Sequence, residues 1–459
     1  MAAKYKPKTY VVTSAQCRDE DAEDIDSIVN QEFYATLQRY CQERDAELLV
    51  MPMAGRTAHD NKFDDEIRKY LLKRDKNLNE KIKVSNNSIR PQQIDPVTGL
   101  GRFTQSDVTT IFASPKQRFK VIPNSNDSLP KVLMTTGALT HPNYKEDRIG
   151  KIAAKDHVYG AIVVETEGAI PYHYRQLTAN RNGEFVDLGV KYTPKGTEEC
   201  GLEALVLGDW HVRDTDPLVR NATFEMIREL KPRRIIVHDW FNGHSVNPHE
   251  EEKFITRAMM YAQGRASIEQ ELRDNSKELY EMRKVAGDNT EIVVVRSNHD
   301  EFLDRYLQKG RYLKEIHNWK IGHELALACY DPGNPKLRIK NPLHEGLLRY
   351  GGIPNNVTYL ERNQDYKPVM GWQLGAHGDK GGNGSRASVN GLENSYGKSI
   401  SGHAHTPEIL RNTFRVGTST YLSLSYNDGP SSWMNTHGLL WGNGKVQLVN
   451  IIDGKWRRK

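Results

Sequence analysis

Three short apolar runs in the second half of the chain each end in a polar cluster of similar composition, and this repetition limits the possible folds more than any other feature. Leu202 to Leu207 runs straight into Gly208-Asp-Trp-His, Arg234 to Val237 into His238-Asp-Trp-Phe, and Glu291 to Val295 into Arg296-Ser-Asn-His-Asp. Short continuous apolar runs bounded by polar residues read as strands buried on both faces. In open α/β sheets ligands bind beyond the carboxyl ends of the strands. A chain that delivers Asp, Asn and His at three such ends is therefore predicted to build its site there.

Histidine usage points to the same region. Four of the 16 histidines lie in the first 200 residues and the other 12 follow. At 459 residues the chain has room for two or three domains. We expect an N-terminal α/β domain over 1–200 and a second unit over 201–459. The first opens with a buried strand at Tyr10 to Ser14, then a helix from about Ile25 to Ala46, where Ile28, Phe33, Leu37, Tyr40 and Cys41 recur at helical spacing. Further strands are expected at Leu48 to Met53, Val108 to Ala113, Val132 to Thr136 and Ala161 to Glu165. In the second unit a helix-favouring stretch without Pro covers roughly 251–285. A segment rich in Pro, Gly and Asn, 317–367, reads as an insertion or cap.

Charge and cysteine content set outer bounds. Lys plus Arg is 64 and Asp plus Glu is 59, a net +5 that tolerates a polyanionic partner without requiring one. No apolar stretch approaches the roughly 20 residues that span a bilayer, and the first residues carry no apolar secretory segment. A soluble, cytoplasmic protein is the expectation. Cys17, Cys41, Cys200 and Cys329 have no paired spacing, which argues against a disulfide framework or a cysteine-held zinc.

Taken singly, most of the polar motifs are weak. Asp209-x-His211 is a pattern that chance supplies in a chain of this length. Gly402-His403-Ala404-His405 is different, with only about 0.04 occurrences expected from 36 Gly and 16 His in 459 residues. With Asp239, Asn298 and His377 it completes an ordered set of carboxylate, imidazole and amide donors, which suits first-row divalent metals. Two such metals about 3.5 to 4 Å apart need a bridging ligand. Asp239 is the candidate.

The order Asp-x-His, Asp, Asn-His, His, Gly-His-x-His resembles the calcineurin-like metallophosphoesterase superfamily over about 202–425. The resemblance implies a four-layer α/β/β/α sandwich for the C-terminal unit, preceded by the separate N-terminal domain. It implies one metal on Asp209, His211 and His405 and another on Asn298, His377 and His403, with Asp239 shared. The expected cofactors are two divalent ions, Mn²⁺ first, with Fe, Zn or Mg as alternatives. The implied reaction is in-line hydrolysis at phosphorus by a hydroxide held between the metals, with Asp239 and His299 at the catalytic centre and His299 donating a proton to the leaving group. The chain departs from the family in having His238 and Ser297 where glycine usually stands. Asn242 replaces the tyrosine that marks purple acid phosphatases.

The metal motif does not separate phosphoesterase subclasses. The basic balance, the cluster Arg68, Lys69, Lys73, Arg74, Lys76, Lys81 and Lys83, and the basic end from Lys455 to Lys459 favour a nucleic acid, DNA first. The basic cluster also reads as an ordinary solvated face. The segment from His377 to Arg386 resembles the corresponding loop of DNases of T5-like bacteriophages, which would place the protein in the host cytoplasm. A phosphatase or small-nucleotide phosphodiesterase is the alternative enzyme reading. A nucleic-acid-binding or assembly protein with a structural metal site is the alternative from another class. Substrate contacts are expected from Arg213, His244, Arg296, Lys380 and Arg386. Trp210 and Trp240 either stack on a substrate ring or pack beneath the site. A homo-oligomer is compatible with the long helix and the extra domain.

Overall fold

The structure is a computed structural model. It describes residues 5–18, 27–56, 62–87, 89–105, 107–125, 129–336, 338–424 and 427–458. The protein is a mixed α/β molecule, and the strands among the described residues fall into four sheets. The three runs that open the sequence analysis are neighbours in a six-stranded sheet. Its order is Val357–Tyr359, Glu291–Val294, Arg234–Val237, Leu202–Val206, Thr436–Trp441 and Val446–Asn450. The first four strands are parallel and the last two antiparallel, so the ends bearing Asp209, Asp239 and Asn298 all open on one edge.

Side chains alternate across this sheet with the period of two that strands impose. Leu205, Ile235, Val237, Ile292 and Val294 face a helical layer and pack with Ile227, Leu272, Met282 and Leu347. Ala204, Val206, Ile236, Val293 and Val295 face inward onto the large central core. The helices of that layer carry clear local signals. Pro217–Leu230 starts with Asp216 as N-cap and Pro at its first position, and Ile268–Ala286 starts with Ser267 accepting the Gln270 N–H. The predicted helix 251–285 is two helices, Phe254–Ala262 and Ile268–Ala286, with Gly264 between them at φ 69°.

The packing runs across two of the expected divisions. Segment 317–367, read as an insertion or cap, places Ile321, Leu325, Leu343 and Leu347 in the helical layer and adds Val357–Tyr359 to the edge of the six-stranded sheet. The expected boundary at residue 200 is crossed by a second, eight-stranded sheet. There Glu408–Leu410 pairs antiparallel with Arg118–Ile122, joining Ser399–Ser401 and Thr413–Arg415 to strands from residues 76–135. The central core likewise mixes Val84, Ile111, Phe119 and Met134 with Val206, Ile236, Ile400, Ile409 and Phe414.

A four-stranded sheet, Ala46–Met53, Lys8–Gln16, Gly160–Thr166 and Tyr172–Thr178, gives one face to this core and the other to the helix Gln31–Glu43. That helix is shorter than the expected Ile25 to Ala46, and Ile25 lies outside the described residues. A small three-stranded sheet spans Phe185–Asp187, Val190–Tyr192 and Thr197–Glu199. All four cysteines are free thiols. Among the described residues no helix is long and apolar enough to cross a membrane.

Candidate metal centre

Beyond the strand ends the chain continues as paired loops. Trp210 N–H donates to His238 O at 3.0 Å, His211 N–H to Asp239 O at 2.7 Å and Val212 N–H to Trp240 O at 3.2 Å. This prolongs the pairing of the two strands and sets Asp209, His211 and Asp239 side by side. Gly208 is required at the exit, because a Cβ there would lie 2.8 Å from the Thr418 carbonyl carbon. His211, Asp239, His403 and His405 all have positive φ, between 45° and 74°. Non-glycine residues avoid this region, and where they occupy it they cluster at functional sites.

All seven predicted ligands converge. His211 Nε2 lies 3.1 Å from His405 Nε2 and 3.5 Å from Asp239 Oδ2. His405 Nε2 lies 3.1 Å from Asp209 Oδ2. On the other side of Asp239, His377 Nε2 is 3.3 Å from Asp239 Oδ2 and 3.0 Å from Asn298 Oδ1, and His403 Nδ1 is 3.1 Å from the same amide oxygen. Two donor groups result, Asp209, His211, Asp239 and His405 in one and Asp239, His377 and His403 in the other.

The chemistry of these atoms fits a cation. Both Asp209 carboxylate oxygens and Asp239 Oδ1 are buried with no hydrogen-bond partner, a costly state for a carboxylate unless something positive sits against it. Two imidazole nitrogens facing each other, as in His211 and His405, cannot both carry protons. Burial holds the His211 imidazole down at about 3, so it is neutral and a ligand in its ordinary form. Burial also pulls on His377, but the Asp239 carboxylate outweighs it and raises His377 to about 9. The protonated imidazole thus stands where the carboxylates attract positive charge. These buried His and Asp side chains could hold a metal ion.

The chain is 28% identical over 472 residues to Protein A1 of Escherichia phage T5. The match covers 98% of this chain and 83% of the phage protein. No family model and no solved structure matches the chain.

His299 sits beside the cluster, its ring 4.7 Å from that of His211. Its Nδ1 is 2.7 Å from the Asn242 carbonyl oxygen, which can only accept, so Nδ1 carries a proton and Nε2 is the nitrogen left available. The Asn242 loop is itself tied down. Asn242 Nδ2 donates to Asp214 at 2.6 Å, and the buried Glu271 carboxylate accepts from the N–H groups of Gly243, His244 and Ser245 at 2.8 to 3.0 Å.

The predicted substrate contacts divide. Arg386 lines the cleft with Asp239, Asn298, His299, His403 and His405. Arg213 is bound to Asp274 at 2.6 Å, Arg296 to Asp304 and Glu361, and His244 to Asp214 at 2.9 Å, while Lys380 lies 3.6 Å from Glu301. These four are not among the residues that line the cleft. Trp210 and Trp240 are fully buried and stacked on each other at 6.2 Å, so they pack beneath the site.

Charges expected to attract a polyanion are largely paired within the fold. Arg68 lies 3.1 Å from Asp65, Lys83 3.8 Å from Asp75 and Lys455 3.1 Å from Glu167, and Lys76, Lys81 and Arg457 also meet carboxylates. Lys459 lies outside the described residues.

Two cleft residues escaped the sequence reading. Arg415 ends a three-residue strand, Thr413–Arg415, and nothing in its surroundings marks it. Trp433, whose ring is 4.2 Å from that of His405, is an aromatic in an otherwise polar loop, a usable signal that was passed over.

Proposed function

We propose that the protein is a dimetal phosphoesterase of calcineurin-like architecture, most simply a nuclease that cleaves DNA phosphodiesters. The single observation that carries this reading is the convergence of seven donors, Asp209, His211, Asp239, His377 and His405 buried and Asn298 and His403 half-buried, split into two sets around Asp239, with His299 at the rim. Its six-stranded and eight-stranded sheets packed over one core, with helices behind the first, suit the sandwich that such a site requires.

When bound, two divalent cations, Mn²⁺ foremost, would lower the pKa of water and neutralise phosphoryl oxygens. Asp209, His211 and His405 would hold one ion and Asn298, His377 and His403 the other, with Asp239 available to both. The chain's own groups do the rest. His299, its Nδ1–H held by the Asn242 carbonyl, turns Nε2 toward the cleft and, with a proton on both ring nitrogens, gives the Nε2 proton to the departing oxygen and is left as the Nδ1–H form. Arg386 and Arg415 line the cleft and give it the positive charge that draws an anionic substrate. The burial of the donor set excludes bulk water and strengthens each of these interactions. The similarity to a phage protein along nearly the whole chain supports a phage-encoded protein acting in the host cytoplasm.

Purified protein supplied with Mn²⁺ should hydrolyse duplex DNA, single strands or a chromogenic phosphodiester. His299→Ala should lose activity by roughly 10²- to 10⁴-fold while retaining metal. Asp239→Ala should lose both metal and activity. Full activity in Asp239→Ala, or metal content clearly below two ions per chain after loading, refutes the dimetal reading. No action on DNA by wild type refutes the nuclease reading alone.

A further inference from the structure

The cleft over the Asp/His cluster does not end at its own rim. It encloses about 330 Å³, and two of its walls, Ala387 and Arg415, are also walls of a neighbouring hollow of about 440 Å³. The pair form one trough that leads away from the metal centre along the edge of the eight-stranded sheet. Three guanidinium groups, Arg118, Arg411 and Arg415, line the outer hollow, and Arg386 stands near the junction.

These cations differ in how they are balanced. Arg118 is held by Asp95 at 3.2 Å and Glu408 at 2.9 Å, and Arg411 is paired with Glu393. Those three carboxylates are therefore already neutralised. Arg415 reaches Glu408 only at 3.4 Å, its Nε has no hydrogen-bond partner, and its side chain is 11% exposed. Arg386 makes no ion pair among the described residues. Burial pulls the Arg415 guanidinium below its ordinary value, Glu408 and Asp209 oppose that pull, and the nearby Arg386 charge adds a smaller repulsion across the junction. An anion placed between them would relieve that repulsion. The helix Val389–Tyr396 opens into the same hollow with Ser388, Val389 and Asn390; Ser388 Oγ caps the Gly391 N–H at 3.1 Å, and the positive end of the helix faces the hollow.

We propose that this trough is a second phosphate subsite. A chain whose scissile phosphate lies at the Asp/His cluster passes over Ala387 and sets a neighbouring phosphate against Arg386, Arg415 and the first turn of the helix. The substrate is therefore a polynucleotide and not a small phosphoester. This rests on the phosphodiesterase reading above and adds to it the direction the strand takes and the groups that grip it.

Asn390 is the position from which to test it. It is exposed on the first helical turn, where a carboxylate favours the helix, so Asn390→Glu should fold while placing a negative charge in the subsite. Asn390→Lys adds the opposite charge. With Mn²⁺ present, kcat/KM is measured on bis(p-nitrophenyl) phosphate and on single-stranded DNA and RNA oligonucleotides of one sequence. The ratio of oligonucleotide to small-diester kcat/KM should fall about tenfold or more in Asn390→Glu and rise in Asn390→Lys, with a shallower salt dependence in the former. An equal effect on DNA and RNA supports recognition of the phosphate alone, and a larger effect on one adds contact with its sugar. If wild type hydrolyses the small diester but the ratio stays within about twofold in both variants, the subsite is refuted and the hydrolytic reading stands. If wild type hydrolyses neither class of substrate, the hydrolytic reading itself has failed.

Discussion

Four of the fourteen non-glycine residues with positive φ among the described residues are candidate metal ligands. His211, Asp239, His403 and His405 occupy the left-handed region, where each non-glycine residue costs on the order of 1 kcal/mol or more. Four such residues around one cluster are sustained by the loop pairing and core beneath them. Gly402 shows how little room remains, since a Cβ there would lie 2.2 Å from Asp209 Oδ1 and 3.0 Å from His238 Cβ. Gly402→Ala should therefore displace the Asp209 carboxylate and weaken metal binding by roughly 10- to 100-fold, read by calorimetric titration with Mn²⁺. Unaltered affinity would show that Asp209 is not a ligand. His437 carries a second residue-scale expectation. Its Nδ1 accepts the Gly208 N–H at 2.9 Å, its Nε2 lies 2.8 Å from Thr223 Oγ1, and burial lowers its pKa to about 4. The neutral form is thus the one that stabilises the fold. That contribution is complete above the unfolded value of 6.5 and fades as pH falls toward 4. Replacing His437 with Gln should reduce the loss of unfolding free energy between pH 7 and pH 4 by on the order of 2 kcal/mol, measured by urea titration at both pH values.

Elements differ in how far they could be foreseen. The three site strands were legible because their apolar runs are short, uninterrupted and followed at once by ligand residues, and they end within a residue or two of where the sequence placed them. Their candidate ligands were legible because a metal site would need particular donor atoms at strand ends. What escaped was the partnership of strands far apart in sequence. Glu408–Leu410 is three residues long, and only the geometry of the fold tells which distant strand it meets. Segment 317–367 misled because its Pro and Gly content suggested a loop, while the apolar faces of Trp319–Cys329 and Pro342–Tyr350 are what the helical layer needed. The strand Arg118–Ile122 offers a test. Phe119 is fully buried in the central core, so Phe119→Ala should cost about 3 to 5 kcal/mol in chemical denaturation. A cost below about 1 kcal/mol would mean that the two sheets are not packed through this residue.

At the scale of the whole molecule the two portions are one structure held by ladders and a common core. Arg118 Nη1 donates to Ile409 O at 2.9 Å across 291 residues, and Gln447 Nε2 donates to Gln176 O at 3.0 Å across 271. A fragment comprising 201–459 would keep all seven candidate ligands yet lose the strand that flanks Glu408–Leu410. It should be insoluble or lack a cooperative thermal transition, and cooperative unfolding of that fragment would establish the 1–200 division after all. Such long sequence separations also bear on synthesis. Pairings that close across most of the chain are entropically slow and cannot begin until the last segments have left the ribosome. Until then the edge of Arg118–Ile122 that later receives Glu408–Leu410 is an open template for other strands. Because the loop bearing His403 and His405 enters through that same late-arriving sheet, a growing chain that already carries Asp209, His211, Asp239 and Asn298 still holds an incomplete donor set until this sheet has closed.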